Sequence, residues 1–336
     1  MSTIKISREN FFYNISQIAR KTQSVENIAL VLKDNAYGHG LGIMAKLAQE
    51  AGIRHAVVRT MAEAWEIHER FETILVLSDT PVSDPGAKIR IAVNDRSHLE
   101  KIPTGTRVEL KVDTGMHRNG ISPTELFQVL ESLGAKGLKL CGVMTHYRSA
   151  DELGSELFWQ RKRFEKIRNE AQKLGIGDVR WHSCNSAALF RTTNFDEDIA
   201  RIGIAAYGCL EMPGSFNVPS LKPVMSLWAD RIATRRVTPS MRIGYGGEGR
   251  LEQGGVVSTY DIGYGDGWIR GDSTRPYILP GGRKIIGRVS MDAFTLEGER
   301  ESVSLFEDAT QAARQFGTIA YEITTRLSPS IGRVVV

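Results

Sequence analysis

With 336 residues the chain has room for one large domain and a smaller one. It is 41% hydrophobic and 24% charged, an ordinary globular composition, and its 43 basic and 39 acidic residues are spread along the chain to a net +4. That spread argues against a nucleic-acid partner: the densest basic clusters, "RKR" at 161–163 and "TRR" at 234–236, read as solvated helix or loop faces. The N-terminal "MSTIKISRENFFYNISQIAR" has no apolar h-region and no small-residue cleavage site, and no stretch approaches the ~18 consecutive apolar residues of a membrane helix. Cys141, Cys184 and Cys209 show no CxxC spacing, which argues for a reducing compartment and against a disulfide framework or structural zinc. A cytoplasmic protein is expected.

In chain order, "TIKISRE" is strand-like and precedes the first helical pattern. Short β-branched runs follow: "NIALVLK" (27–33), "HAVVRT" (55–60), "TILVLS" (73–78), "IRIAVN" (89–94) and "RVELKVD" (107–113). "LKLCGVMTH" (138–146), "VRWHS" (179–183) and "RIGIAAYG" (201–208) complete a set of eight. Helical patterns such as "LGIMAKLAQEAG", "TELFQVLESLG" and "LFWQRKRFEKIRNEAQKLG" lie between several of them. Continuous apolar runs suit strands buried on both faces, which are parallel and joined by helices. The expectation is an α/β fold, a (β/α)8 TIM-type barrel over residues 9–221. A doubly wound sheet is the alternative, weakened because no GxGxxG follows the first strand. From about residue 222 Gly and Pro become frequent and runs such as "GGVVSTYDIGYG", "PYILP" and "RKIIGRVSMDAFTLEG" recur. A predominantly β C-terminal domain (222–336) is expected, interrupted by one helical segment near 304–315, with residues 1–8 pairing with it.

Barrel enzymes place their chemistry at the C-terminal ends of the strands. Those ends carry Lys33, then Lys111, Asp113 and Arg118, then His146, then Asn185 and Ser186, and finally Arg201 and Gly203. A lone lysine at a strand end is an ordinary snorkelling side chain. At a barrel mouth it is also a candidate Schiff-base nucleophile. The glycines, hydroxyl and backbone N–H groups of "CNSAA" and "RIGIAAYG" fall where barrels commonly bind phosphate. A Schiff-base lysine and a phosphate pocket on one rim suggest pyridoxal 5'-phosphate.

The motifs "VLKDNAYGHG", "LKVDTGMHRNG", "MTHYRSADE", "HSCNSAA", "RIGIAAYG", "DIGYGDGWIR" and "GRVSMDAF" together resemble the successive signatures of the bacterial alanine racemase family, in its order, from about residue 27 to 325. The resemblance implies a pyridoxal-phosphate-binding barrel followed by a β domain. It implies that Lys33 is the Schiff-base lysine and that Tyr37, Ser186, the backbone of Gly203 and Ile204, and Tyr321 hold the phosphate. His146 then stacks near the cofactor ring and Arg201 faces the pyridine nitrogen. Arg118 and the backbone of Met291 receive the substrate carboxylate, and Lys111 matches a lysine often carbamylated in the family. Tyr264 matches the catalytic tyrosine contributed by the partner subunit of a homodimer, and the activity serves peptidoglycan synthesis in bacteria.

Racemisation needs a base on each face of Cα, a role that a lysine and a tyrosine can divide. Arginine at the ring nitrogen, unlike a carboxylate, cannot accept a proton and leaves that nitrogen neutral. Simpler roles compete. Arg201 has Glu197 and Asp198 nearby in sequence, Lys111 has Asp113 two residues on, Tyr264 resembles a core tyrosine, and His182 a structural histidine. No metal-ligand spacing occurs.

The chain departs from the family with "MDAF" for "MDQ", "HRNG" for "GRLG" and a tail "LSPSIGRVVV" without Arg-Val-Pro-Arg. Those changes point to an altered pocket wall and an altered β-domain or dimer edge. A broader-specificity or serine racemase, a decarboxylase of similar plan and a non-catalytic pyridoxal-phosphate-binding barrel are the competing functions. Arg201 argues against the decarboxylase, and the second domain against the non-catalytic barrel.

Overall fold

A computed structural model describes residues 1–176 and 178–336. The chain divides into two units, one of Phe12–Ala36 and Leu41–Leu221, the other of Met1–Phe11, Tyr37–Gly40 and Lys222–Val336.

The opening strand β1 (Thr3–Ile6) belongs to the second unit. The first unit carries eight strands. They are β2 (Ile28–Val31), β3 (His55–Val58), β4 (Thr73–Val76), β5 (Ile89–Val93), β6 (Arg107–Lys111), β7 (Lys139–Met144), β8 (Arg180–His182) and β9 (Ala200–Ile202). All neighbours pair in parallel, β9 lying beside β2 with Ala29 opposite Arg201. A bridge between Asn185 and Arg201, with Arg201 N–H donating to Cys184 O at 2.9 Å, joins the segment after β8 to β9 and closes the ring. Every residue of β2 is buried, as a strand covered on both faces requires.

The flanking helices owe their seats to spacing. Leu157, Gln160, Phe164, Ile167 and Ala171 recur every three or four residues along Glu156–Lys173 and are its buried stripe. Leu126, Val129 and Leu133 serve Leu126–Ala135 in the same way. The repeat is not complete. No helix forms between β4 and β5, and only a 3-10 helix, Arg96–Lys101, lies between β5 and β6. The eighth run is shorter as a strand than its apolar pattern suggests: Gly203–Gly208 turns away, with Ala206 N–H donating to Gly203 O.

In the second unit β10 (Met225–Val237) is the long central strand. It pairs antiparallel with β1, β11 (Gly255–Tyr260) and β13 (Ser302–Phe306), while β12 (Phe294–Glu297) pairs with β11. The last strand, β14 (Gly332–Val335), runs parallel to β1. The expected helix near 304–315 begins later. Ser302–Phe306 is strand, and the helix is Ala309–Phe316, capped by the Asp308 carboxylate. A further helix, Ala320–Thr325, follows it. "PYILP" forms only an isolated bridge between Ile278 and Lys284 rather than a strand. Among the described residues no helix is long and apolar enough to cross a membrane.

Candidate active site

Lys33 lies two residues beyond the end of β2, and the segment after it is not the flexible loop its polar composition suggests. Asp34, Asn35 and Ala36 have φ of 54°, 55° and 52° with ψ near 50°, and Tyr37 has φ 54°. That is one turn of left-handed helix built from L residues, at a cost of roughly 1–2 kcal/mol for each. Asp and Asn tolerate the conformation best. The turn is held from several sides: Ala36 N–H donates to Leu32 O (2.8 Å), Leu41 N–H donates to Asn35 Oδ1 (2.8 Å), and Arg59 pairs with Asp34 (3.0 Å). The Glu63 carboxylate, part of a capping box with Thr60, accepts from Asn35 N–H at 3.4 Å.

Strand ends of the same unit then bring cations together. Lys111, 8% exposed, is pulled down to about 8 by burial, and next by the charges of Arg118, Arg201 and Lys33. The His146 ring is lowered to about 3, by burial first and then by Arg201, Lys111, Arg118 and Lys33. His146 is therefore neutral beside four basic side chains, and it sits two residues beyond the end of β7. Lys111 does not pair with Asp113. Its Nζ donates to Asn119 Oδ1, and Asn119 in turn donates to Asn94 Oδ1 at 3.1 Å. Burial works against the Asp113 carboxylate. Backbone N–H groups of Gly115, His117 and Met116, at 2.8–2.9 Å, outweigh it and keep the pKa low. Arg118 is exposed and forms no ion pair among the described residues.

Arg201 is buried in the middle of β9 and makes no hydrogen bond to Glu197 or Asp198. Asp198 accepts from Trp181 N–H (2.5 Å), and Glu197 from the N–H groups of Ser183 (2.5 Å) and Cys184 (2.9 Å). The Arg201 terminal nitrogens donate instead to His182 Nδ1 (2.6 Å) and the carbonyls of Thr145 (2.6 Å), His182 (3.0 Å) and Ser183 (3.2 Å). His182 is thus tied to the site rather than being only a core histidine. Burial, with Arg201 and Arg180 beside it, holds its ring at about 3 against the pull of Glu109.

Ser186 opens the helix Ser186–Arg191, which Asn185 caps by accepting from Ala188 N–H. The Ser186 hydroxyl oxygen accepts from Gly203 N–H (3.2 Å) and Ala205 N–H (3.3 Å), so the hydroxyl proton is left to donate elsewhere. Ile204 lies between those two donors and is buried.

The remaining expected residues belong to the second unit and fall into two pairs. The rings of Tyr37 and Tyr321 meet at 5.5 Å, and a Cβ on Gly38 would lie 2.0 Å from Thr324 O, so only glycine passes there. Tyr264 and Met291 are neighbours: Gly265 N–H donates to Met291 O at 2.8 Å, and a Cβ on Gly263 would meet the same oxygen at 2.1 Å. Tyr264 is 42% and Met291 55% exposed. Glu109, Asn119 and Asn94 escaped the sequence reading. Glu109 alternates with Lys111 and Asp113 along one strand, the single pattern that could have marked it.

The family model of the alanine racemase N-terminal domain matches residues 6–211, and that of the C-terminal domain residues 224–335. The chain is 43% identical to the alanine racemase of a Nitratiruptor species over 337 aligned positions, covering 99% of each. It is 42% identical to that of Campylobacter concisus, again over 99% of each. Among solved structures, alanine racemase from Bacillus anthracis with bound L-Ala-P matches with TM-score 0.88 at 28% identity, covering 100% of this chain and 95% of that one. The alanine racemase from E. faecalis matches with TM-score 0.83 at 27% identity, over 100% and 98%.

Proposed function

The chain belongs to the alanine racemase family, and on that premise we propose that it interconverts L- and D-alanine with pyridoxal 5'-phosphate as cofactor. The observation that carries this reading is the convergence of Lys33, Lys111, Arg118 and Arg201 about a neutral His146. So many cations at one strand-end rim suit a ligand set that brings a phosphate and a carboxylate.

The residues present fit the cofactor. Ser186 has a hydroxyl proton to give, because its oxygen already accepts from Gly203 and Ala205; the backbone of Gly203 and Ile204 lies beside it, and Tyr37 and Tyr321 supply further phenols. Arg201 spends its terminal nitrogens on one ring nitrogen and three carbonyls, leaving Nε–H for a pyridine nitrogen. A guanidinium held there as a permanent cation does not pass a proton to that nitrogen. The bound group would supply an electron sink that acidifies Cα–H of the amino acid attached to it.

This chain's residues do the rest. Lys33 Nζ would hold the cofactor, and the same amine would hold or move the proton on one face of Cα. Tyr264 Oη of the partner subunit moves it on the other face. Tyr264 and Met291 stand exposed on their own unit, as residues completed by a second copy should. Arg118 receives the substrate carboxylate together with the backbone of the partner's Met291, which comes with Tyr264. Lys111, lowered to about 8, keeps a neutral amine fraction near neutral pH that can add to carbon dioxide and lose a proton to solvent, giving a carbamate anion to orient Arg118. In this proposal residues 9–221 form the cofactor-binding domain and 222–336, with 1–8, the β domain. The enzyme works in the cytoplasm as a homodimer and supplies D-alanine for peptidoglycan.

Incubation with single L-amino acids, followed by D-amino-acid oxidase, tests the substrate. Product is expected chiefly from L-alanine, and formation from another amino acid alone would displace alanine. Replacing Tyr264 by Phe removes one base and is expected to lower kcat in both directions by about 100-fold or more. Full activity both ways in that variant would refute the two-base assignment.

A further inference from the structure

Glu109, two residues before Lys111 on β6, is fully buried. One of its oxygens takes Arg90 at 3.1 Å and also Arg180; the other lies 2.7 Å from His182 Nε2. Burial opposes the charge, but Arg180, His182 and Arg90 outweigh it and hold the carboxyl far below its usual range. On the opposite side of the same imidazole, Nδ1 lies 2.6 Å from an Arg201 terminal nitrogen.

This arrangement fixes where the imidazole proton must be. A guanidinium has donors only, so His182 Nδ1 must accept from Arg201. The ring proton is therefore on Nε2, where the Glu109 carboxylate accepts it. Glu109, His182 and Arg201 form a polarised chain. Glu197 also acts on Arg201 through its charge, but its oxygens are taken by Ser183 and Cys184, so it does not direct the guanidinium.

We propose that Glu109 is a positioning residue that acts through His182 on Arg201, fixing the His182 tautomer and with it the plane of the guanidinium. This rests on and deepens the proposed function, because that plane would set how Arg201 Nε–H meets the cofactor's ring nitrogen. The isosteric Glu109→Gln variant exposes the dependence. Its amide has one acceptor and one donor end. Turned with NH2 toward Arg180 and Arg90, it sets donor against donor. Turned with NH2 toward His182, it drives the ring proton to Nδ1, against the Arg201 donors.

The direct test is 15N NMR of histidine-labelled protein without cofactor, assigned by comparison with His182→Gln. The wild type is expected to show His182 neutral and protonated at Nε2, and Glu109→Gln to show the Nδ1–H form or a mixture. With cofactor, Glu109→Gln should lower kcat by about 10–100-fold with little change in KM. His182→Gln, whose amide can accept from Arg201 and donate to Glu109, should lose less. Wild-type His182 carrying its proton on Nδ1 would overturn the proposal. So would Glu109→Gln with the wild-type tautomer and wild-type kcat. If Glu109→Gln does not fold, Glu109→Asp, whose shorter carboxylate withdraws from His182, is expected to weaken the Nε2–H preference and lower kcat; the wild-type tautomer with wild-type kcat there would overturn the proposal. Failure to bind pyridoxal phosphate would instead strike at the proposed function and leave the tautomer result standing.

Discussion

At Lys111 the protein confines an amine where three other cations already press on it. Burial and those charges lower its pKa from 10.5 to about 8. Below pH 8 the lysine is protonated whether folded or unfolded, and the folded state bears the full penalty. Between pH 8 and 10.5 the unfolded chain binds more protons, so folding stability rises with pH across that window. Lys111→Met is therefore expected to stabilise the cofactor-free protein at pH 7 by up to about 3 kcal/mol. The gain should shrink as the pH passes about 10. Urea denaturation on either side of that window reads this directly, and a Lys111→Met variant less stable at both ends would contradict the account. At this scale the motifs single out Lys33, Arg118 and Arg201 as candidates, because each follows or lies in a recognisable strand. Asn119 was not, because its contact with Lys111 joins a strand end to the turn eight residues on. His182 was underread because its meaning depends on Glu109 and Arg201, 73 and 19 residues away.

Among the elements, the turn after β2 carries the most local information. Its composition, Asp-Asn-Ala-Tyr, suggests a loop, and nothing in residue type separates a mobile loop from a left-handed turn held by Asn35, Glu63 and Arg59. The hand of the turn yields a prediction of unusual sign. In a right-handed helix, glycine costs about 1 kcal/mol relative to alanine. Here φ is 54° at Asp34, so glycine relieves the strain and a β-branched residue worsens it. Asp34→Gly is expected to fall within about 1 kcal/mol of wild type, because the Arg59 pair it loses is at the surface. Asp34→Val should be less stable than Asp34→Gly by about 1–2 kcal/mol. Denaturant midpoints of the two variants settle the order, and a more stable valine variant would mean that the turn is not left-handed. The barrel strands were the easiest elements to read, since apolar runs covered on both faces leave little choice. The eighth was overextended because "GIAAYG" is as apolar as a strand yet folds into turns that present N–H groups to Ser186.

For the whole molecule, the eight-stranded parallel sheet and the β-rich C-terminal part were legible from the alternation of runs and the change of texture near residue 222. Less legible was that Tyr37–Gly40 packs with the β-rich unit, because that depends on the fit of Gly38 against Thr324 and the contact of the Tyr37 and Tyr321 rings. The central claim is that Lys33, carried to the rim by β2, holds pyridoxal phosphate among the cations that suit it. Borohydride reduction of the cofactor-loaded protein, followed by peptide mapping, tests it most directly. A phosphopyridoxyl label on Lys33, and its absence in Lys33→Ala, is the result this account predicts; a label on another lysine, or none at all, would contradict it.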